Sequence, residues 1–247
     1  MFAEKNGNGL PVPPERWNLY KSVITEAAAH RIPFAVGGGL AAMTYAGQWR
    51  DSKDMDLYIF AHDRERMIDV LTRCGLSDYF ERLGYDRRWI YRSYRDDSIV
   101  DIMWSMANQR ASVDSEWLHG PEVIIDGLQI RLVPPEETLW SKLYVLQHDR
   151  CDWPDAMSML CGIGASLDWE RLLARVGDDA LLLGGLLNVF RWICPHKARL
   201  LPAWIWHSLG LAEIQTCEVE SRDSKRWELL DSRPWFAPAI QTFEGRK

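Results

Sequence analysis

Arg50-Asp51-Ser52-Lys53-Asp54-Met55-Asp56-Leu57-Tyr58-Ile59-Phe60 runs from a charged entry into an apolar segment. Met55 to Phe60 reads as a strand. Residues i and i+2 of a strand point to the same face. Asp54 and Asp56 are therefore expected side by side at its start. Two ionised carboxylates that close repel, and burial makes the repulsion worse. A divalent cation between them makes the pair tolerable.

Upstream, Phe34-Ala35-Val36 is a short apolar run that ends in Gly37-Gly38-Gly39. It reads as a strand running into a tight turn. Leu40 to Gln48 then suits a short helix. Glycines let a backbone approach a polyphosphate closely, and a following helix N-terminus offers free N–H groups to an anion. Downstream, Ser98 to Trp104 reads as another strand, and Asp101 sits in it between apolar neighbours. An isolated acid there is costly. If the two strands are neighbours, Asp54, Asp56 and Asp101 converge. Their oxygens are the ligands that Mg²⁺ prefers, with water and substrate phosphates filling the rest.

The other segments complete a mixed pattern. Trp17 to His30 has apolar residues at helical spacing, and Arg31-Ile32-Pro33 breaks it. Asp63 to Cys74 is a second helix, with Gly75 as its C-cap. Arg88 to Tyr94 is a strand, joined to the Asp101 strand by an Asp96-Asp97 turn. Asp126-Gly127 between Glu122–Ile125 and Leu128–Val133 is a strong hairpin signal, because a type I′ turn needs positive φ at both central positions. After Pro134-Pro135 the chain turns helical: Glu136 to His148, Trp153 to Leu160, Trp169 to Val176, Asp179 to Ile193 and Ala203 to Leu209. The expected class is α+β, a mixed sheet with flanking helices followed by a mainly α-helical C-terminal region. The expected organisation is a tail over 1–14, a catalytic domain over 15–133 and a helical domain over 134–247.

Composition narrows the classes. The chain has 247 residues, 47% hydrophobic and 26% charged, which excludes a disordered or collagen-like chain. Lys plus Arg number 29 against 35 Asp plus Glu, for a net charge of -6, which argues against a uniformly basic nucleic-acid coat. The Arg-rich stretch Arg82–Arg95 interleaves Tyr and Trp. It suits either a nucleic-acid strand or a solvated hairpin. The 13 Trp are expected in packing roles, including Trp192, Trp204 and Trp206.

The 5 Cys are odd in number and hold no C-x-x-C pair, which points to a reducing compartment. The N-terminal stretch has no apolar signal region. The longest apolar run, residues 180–190, is shorter than a membrane span. A soluble, cytoplasmic protein with no membrane partner is expected. There is no G-x-S-x-G, no H-E-x-x-H and no ligand spacing among the histidines. A Rossmann enzyme is disfavoured because Gly37-Gly38-Gly39 lacks G-x-G-x-x-G spacing.

The glycine turn, the helix, R-x-S-K-D-x-D-L and the later strand Asp together resemble the nucleotidyltransferase superfamily that includes DNA polymerase β. Within it, the chain is most similar to minimal bacterial nucleotidyltransferases, including the AbiEii-like toxins and the aminoglycoside nucleotidyltransferases. The motif region spans about residues 34–104. In the AbiEii-like group a helical Lys and a later acid follow the sheet, and Lys142, Arg150, Asp152 and Asp155 stand in that region here.

The resemblance implies transfer of an NMP from an NTP to a hydroxyl acceptor, with release of pyrophosphate. It implies that Asp54 and Asp56 bind Mg²⁺. Asp101 would be the third carboxylate, either a ligand or the base for the incoming hydroxyl. Gly37, Gly38 and Gly39 would hold nucleotide phosphates, with Arg50, Ser52, Lys142 and Asp155 as further nucleotide-binding candidates. Alternatives remain for three of these: Lys142 as a solvated helix lysine, Asp155 as a helix-start acid favouring the dipole, and Arg50 in a surface ion pair. The acceptor is a small molecule, a tRNA or a protein. The triple glycine lacks the serine that is common in the family, and the run from Gly38 to Asp54 is longer than its usual spacing. The other functional class is a catalytically silent nucleotide-binding or interaction module of the same fold.

Overall fold

The computed structural model describes residues 12–47, 52, 54–212 and 226. Helix α1, Pro14–Ala29, begins with a proline whose missing N–H is no loss at a first turn. It stops where Arg31 takes φ 52° and Pro33 follows. Its apolar stripe, Trp17, Tyr20, Val23, Ile24 and Ala27, is buried.

Strand β1 (Phe34–Val36) leads through Gly37 into α2 (Gly38–Ala46), and β2 (Asp54–Ile59) follows. A single turn of 3-10 helix precedes α3 (Arg64–Arg73), whose C-terminal Gly75 takes φ 78°. The short β3 (Ser77–Asp78) precedes β4 (Ile90–Arg95) and β5 (Ser98–Met103).

These strands form a five-stranded sheet in the order β1-β2-β5-β4-β3. The central pair β2 and β5 is parallel, while β1–β2, β4–β5 and β3–β4 are antiparallel. One face of the sheet carries Met55, Leu57, Ile59, Val100 and Ile102, which join the α1 and α3 side chains in one buried cluster. Strand alternation puts Asp54, Asp56 and Asp101 on the other face.

The expected hairpin joins β6 (Glu122–Ile125) to β7 (Leu128–Arg131). Asp126 and Gly127 have φ 49° and 71°, as its turn type requires. Beyond β7, the Val133 N–H donates to the Val36 carbonyl at 2.8 Å, tying the hairpin's exit to β1.

Helix α4 (Pro135–Leu143) packs against α2. The helix expected to reach His148 stops at Leu143. Past it, Leu146 bridges to Cys151, with the Gln147 N–H donating to the Arg150 carbonyl. The chain divides into two compact units between Tyr144 and Val145, so α4 belongs with the sheet. The boundary expected near residue 134 falls before α4, and this division falls after it.

The second unit is helical: α5 (Trp153–Ile163), α6 (Trp169–Val176), α7 (Ala180–Ile193), α8 (Pro195–Ala198) and α9 (Ala203–Ser208). Leu183, Leu186, Leu187 and Phe190 of α7 supply its core. Trp206 is buried as expected, but Trp192 and Trp204 are exposed, so packing does not account for those two. No helix among the described residues is long and apolar enough to cross a membrane.

Candidate active site

The parallel register aligns Asp56 with Asp101 and Asp54 with Ile99. Adjacent strands lie about 4.8 Å apart. Carboxylate oxygens of Asp54, Asp56 and Asp101 consequently lie within 4.8 Å of one another. Asp54 and Asp56 are half-buried, and Asp101 is only 1% exposed. Three acids so placed need positive charge or strong donors around them.

Part of that compensation comes from β4. Arg92 stands opposite Asp101 in the antiparallel register. Its Nε donates to Asp101 Oδ1 at 2.9 Å and to Oδ2 at 3.1 Å, and its Nη2 donates to Oδ2 at 2.6 Å. This is the fork geometry that guanidinium offers a carboxylate. The bond to Asp101, with the charges of Asp101, Asp54 and Asp56, holds the Arg92 guanidinium above its ordinary pKa, against the effect of burial. Ser52 Oγ donates to Asp54 Oδ1 at 3.1 Å, and the Ser52 carbonyl accepts from Arg16 at 2.7 Å. Ser52 thereby fixes the entry to β2 and orients Asp54.

The glycine turn lies directly against the acids. The Gly37 N–H donates to the Asp56 carbonyl at 2.9 Å. Gly38 has φ 54°, and a Cβ added there would lie 1.5 Å from Asp56 Oδ2. At Gly37 an added Cβ would lie 2.3 Å from the Tyr58 ring. Both positions exclude any side chain, because Asp56 and Tyr58 lie directly against the turn. Tyr58, next on the same face of β2, stacks on Trp117 at 5.1 Å, and Trp117 meets Trp140 of α4 at 5.8 Å. These rings form a buried stack that starts two residues beyond Asp56 on β2.

Lys142 lies in the last turn of α4 and is 4% exposed, so it is not a solvated helix lysine. Glu136 and Glu137, at the other end of that helix, are buried too. Burial, then the charges of Glu136 and Glu137, push the Tyr45 hydroxyl far above its ordinary pKa; it donates to the Val133 carbonyl at 2.7 Å. Asp155 falls in the second unit, in the first turn of α5. Arg150 of that unit is bound to Asp152 at 3.0 Å. Arg50 lies outside the described residues.

The first unit therefore gathers Gly37, Gly38, Ser52, Asp54, Asp56 and Asp101. Arg92 is the member that the motifs did not announce. The donor set is three carboxylates packed against a glycine turn whose Cβ space Asp56 and Tyr58 already occupy. All-oxygen donors of this kind suit Mg²⁺.

No protein-family model matches the chain, and no curated protein matches it. Solved structures resemble it at low identity. The antibiotic-resistance factor ANT(2'')-Ia is 17% identical, with 72% of this chain and 92% of that chain covered and a TM-score of 0.45. The lincosamide antibiotic adenylyltransferase LnuA, solved with lincomycin bound, is 15% identical, with 57% and 94% covered and a TM-score of 0.44. An antigenic nucleotidyltransferase-like protein from Paracoccidioides brasiliensis is 20% identical, with 76% and 96% covered and a TM-score of 0.38.

Proposed function

We propose that the chain is a Mg²⁺-dependent nucleotidyltransferase that moves an NMP from an NTP to a hydroxyl acceptor. The observation that carries this reading is the convergence of Asp54, Asp56 and Asp101 oxygens within 4.8 Å. It is supported by the Gly38 backbone, which presses against Asp56 where a phosphate-binding turn is needed.

Asp54 and Asp56 are the metal ligands, with Asp101 as the third carboxylate. Magnesium, when bound, offsets phosphate charge and makes the acceptor hydroxyl more acidic. Ser52 keeps Asp54 turned toward the site. The Gly37-Gly38-Gly39 turn receives the phosphates through the N–H groups of Gly38 and Gly39 at the start of α2, since the Gly37 N–H is taken by the Asp56 carbonyl. Lys142 adds positive charge for the triphosphate. Arg50 and Asp155 stay candidates for the nucleotide on the strength of the family resemblance.

In the reaction the acceptor oxygen bonds to the α-phosphorus and the α–β anhydride bond breaks. Pyrophosphate leaves, and the hydroxyl proton passes to a base. Both oxygens of Asp101 already accept hydrogen bonds from Arg92, so Asp101 acts as ligand or as base only in competition with that arginine. The silent-module alternative is not favoured, since it gives no use for three crowded acids. The acceptor is a small molecule, a tRNA or a protein.

The test is incubation with each α-labelled NTP, Mg²⁺ and cell extract, followed by pyrophosphate release on the labelled acceptor. Asp56→Asn is expected to reduce transfer by at least about a hundredfold, the order expected for loss of a group that positions and neutralises the reacting phosphate. Full transfer by both Asp54→Asn and Asp56→Asn would refute the assignment.

A further inference from the structure

The strongest unassigned feature of the first unit is the grip of Arg92 on Asp101. Asp101 is 1% exposed and lies between Val100 and Ile102, which are fully buried. A lone charge at such a place is strongly disfavoured. Arg92 answers it with three hydrogen bonds and takes up both carboxylate oxygens. The Arg92 side chain itself is 30% exposed, so it has room to withdraw toward solvent. Beside it the Tyr79 ring lies 5.8 Å from its guanidinium, an aromatic surface along which a released guanidinium can rest.

Charge arithmetic makes the consequence plain. Asp54, Asp56 and Asp101 carry three negative charges when ionised, and Arg92 cancels one of them. A divalent cation that took an oxygen of Asp101 would meet an oxygen already hydrogen-bonded to a cation. The two positive charges would stand only a few ångströms apart, where repulsion in a part-buried site is strong.

We infer that Arg92 is a resident counter-ion that competes with a divalent cation for Asp101 and so sets how tightly the acid cluster binds metal. Arg92 touches no reacting atom in this role; it is a positioning residue. The inference rests on the reading of the three acids as a cation site. It goes beyond that reading by assigning Arg92 a function that the family motif does not contain.

Mn²⁺ binding to the full chain, followed by calorimetry and by the spin signal of the free ion, tests this without nucleotide. Arg92→Met is expected to bind Mn²⁺ about tenfold more tightly than the parent, because a competing charge and a competing fork are gone. Arg92→Lys keeps the charge but not the fork, and is expected to tighten binding by less. In an Asp101→Asn background the gain from Arg92→Met is expected to shrink, because the contested carboxylate is absent. A merely structural arginine would leave no such coupling. If Arg92→Met does not fold, Arg92→Lys decides alone. Affinity equal to or weaker than the parent's in the folded variants overturns the inference, as does an undiminished gain in the Asp101→Asn background. Absence of Mn²⁺ binding in parent and variants overturns it together with the metal assignment. Coupling as expected, with no NMP transfer to any acceptor, leaves this inference standing and removes only the transferase reading.

Discussion

Gly38 shows how a single residue can join backbone conformation to chemistry. Its φ of 54° is in the left-handed region, and its missing Cβ is the space that Asp56 occupies. Alanine there meets two separate penalties. The left-handed backbone costs about 1–2 kcal/mol for a residue with a Cβ. The overlap at 1.5 Å also forces the Asp56 carboxylate aside. Gly47 separates the two effects, since it has φ 66° and nothing within 4 Å of an added Cβ. We expect Gly47→Ala to lose stability in urea denaturation, by about the same 1–2 kcal/mol, and to keep Mn²⁺ affinity. Gly38→Ala is expected to lose more stability and most of its Mn²⁺ affinity. Equal Mn²⁺ affinity in the two variants would show that the turn does not shape the acid cluster.

The β6–β7 hairpin is an element whose stability carries a pH signature. Asp126, at its turn, accepts from Trp17 Nε1 at 3.1 Å and from Lys21 Nζ at 3.0 Å, binding the hairpin to α1. The Lys21 and Trp17 hydrogen bonds, then the Lys21 charge, hold its carboxyl below the ordinary value. A carboxyl with a depressed folded pKa stabilises above its unfolded value, about 3.9, and that contribution is lost as pH falls through the folded value. Melting temperatures of the parent and Asp126→Asn, compared from pH 7 to pH 2.5, are expected to show the parent losing ground only on the acid side. A difference that is constant with pH would mean that the ion pair adds nothing.

This hairpin was legible in the sequence because Asp-Gly dictates its own backbone, and the strand holding Asp54 and Asp56 was legible because period-2 spacing is local. Arg92 was legible in principle. Asp96 and Asp97 form the two-residue turn, so Arg95 faces Ser98, and counting back puts Arg92 opposite Asp101. What hid it was the surrounding run of arginines, of which Arg87 pairs with Asp78 and Arg88 with Asp86. The burial of Lys142 was not legible, because a lysine in a last helical turn ordinarily faces water and only the packing of α4 on α2 reverses that. The contact of Gly38 with Asp56 was likewise a matter of tertiary placement.

At the scale of the whole molecule the question is where the unit that holds the acid cluster ends. Every member of the acid site, with Gly37, Gly38, Ser52 and Arg92, precedes Tyr144, and the compact unit closes there. Helix α4 buries Leu139, Trp140 and Leu143, and Trp140 continues the Tyr58–Trp117 stack that starts beside Asp56 on β2. Burial of such side chains contributes about 1.5–3 kcal/mol each. Three of them therefore amount to a large part of the roughly 5–15 kcal/mol that holds a domain folded. A chain cut after residue 133 also makes the Val133 carbonyl that accepts from Tyr45 part of a chain terminus, where it can fray. We therefore expect a fragment ending at Tyr144 to unfold cooperatively and to bind Mn²⁺ with the parent's affinity. The fragment ending at residue 133 is expected to lack a cooperative transition and to expose apolar surface to a hydrophobic dye. Chemical denaturation followed by Trp fluorescence, with Mn²⁺ calorimetry on each fragment, distinguishes the two boundaries. If the shorter fragment is as stable as the longer one, α4 is not part of the folded unit, and the aromatic stack at Tyr58 is dispensable to the acid site.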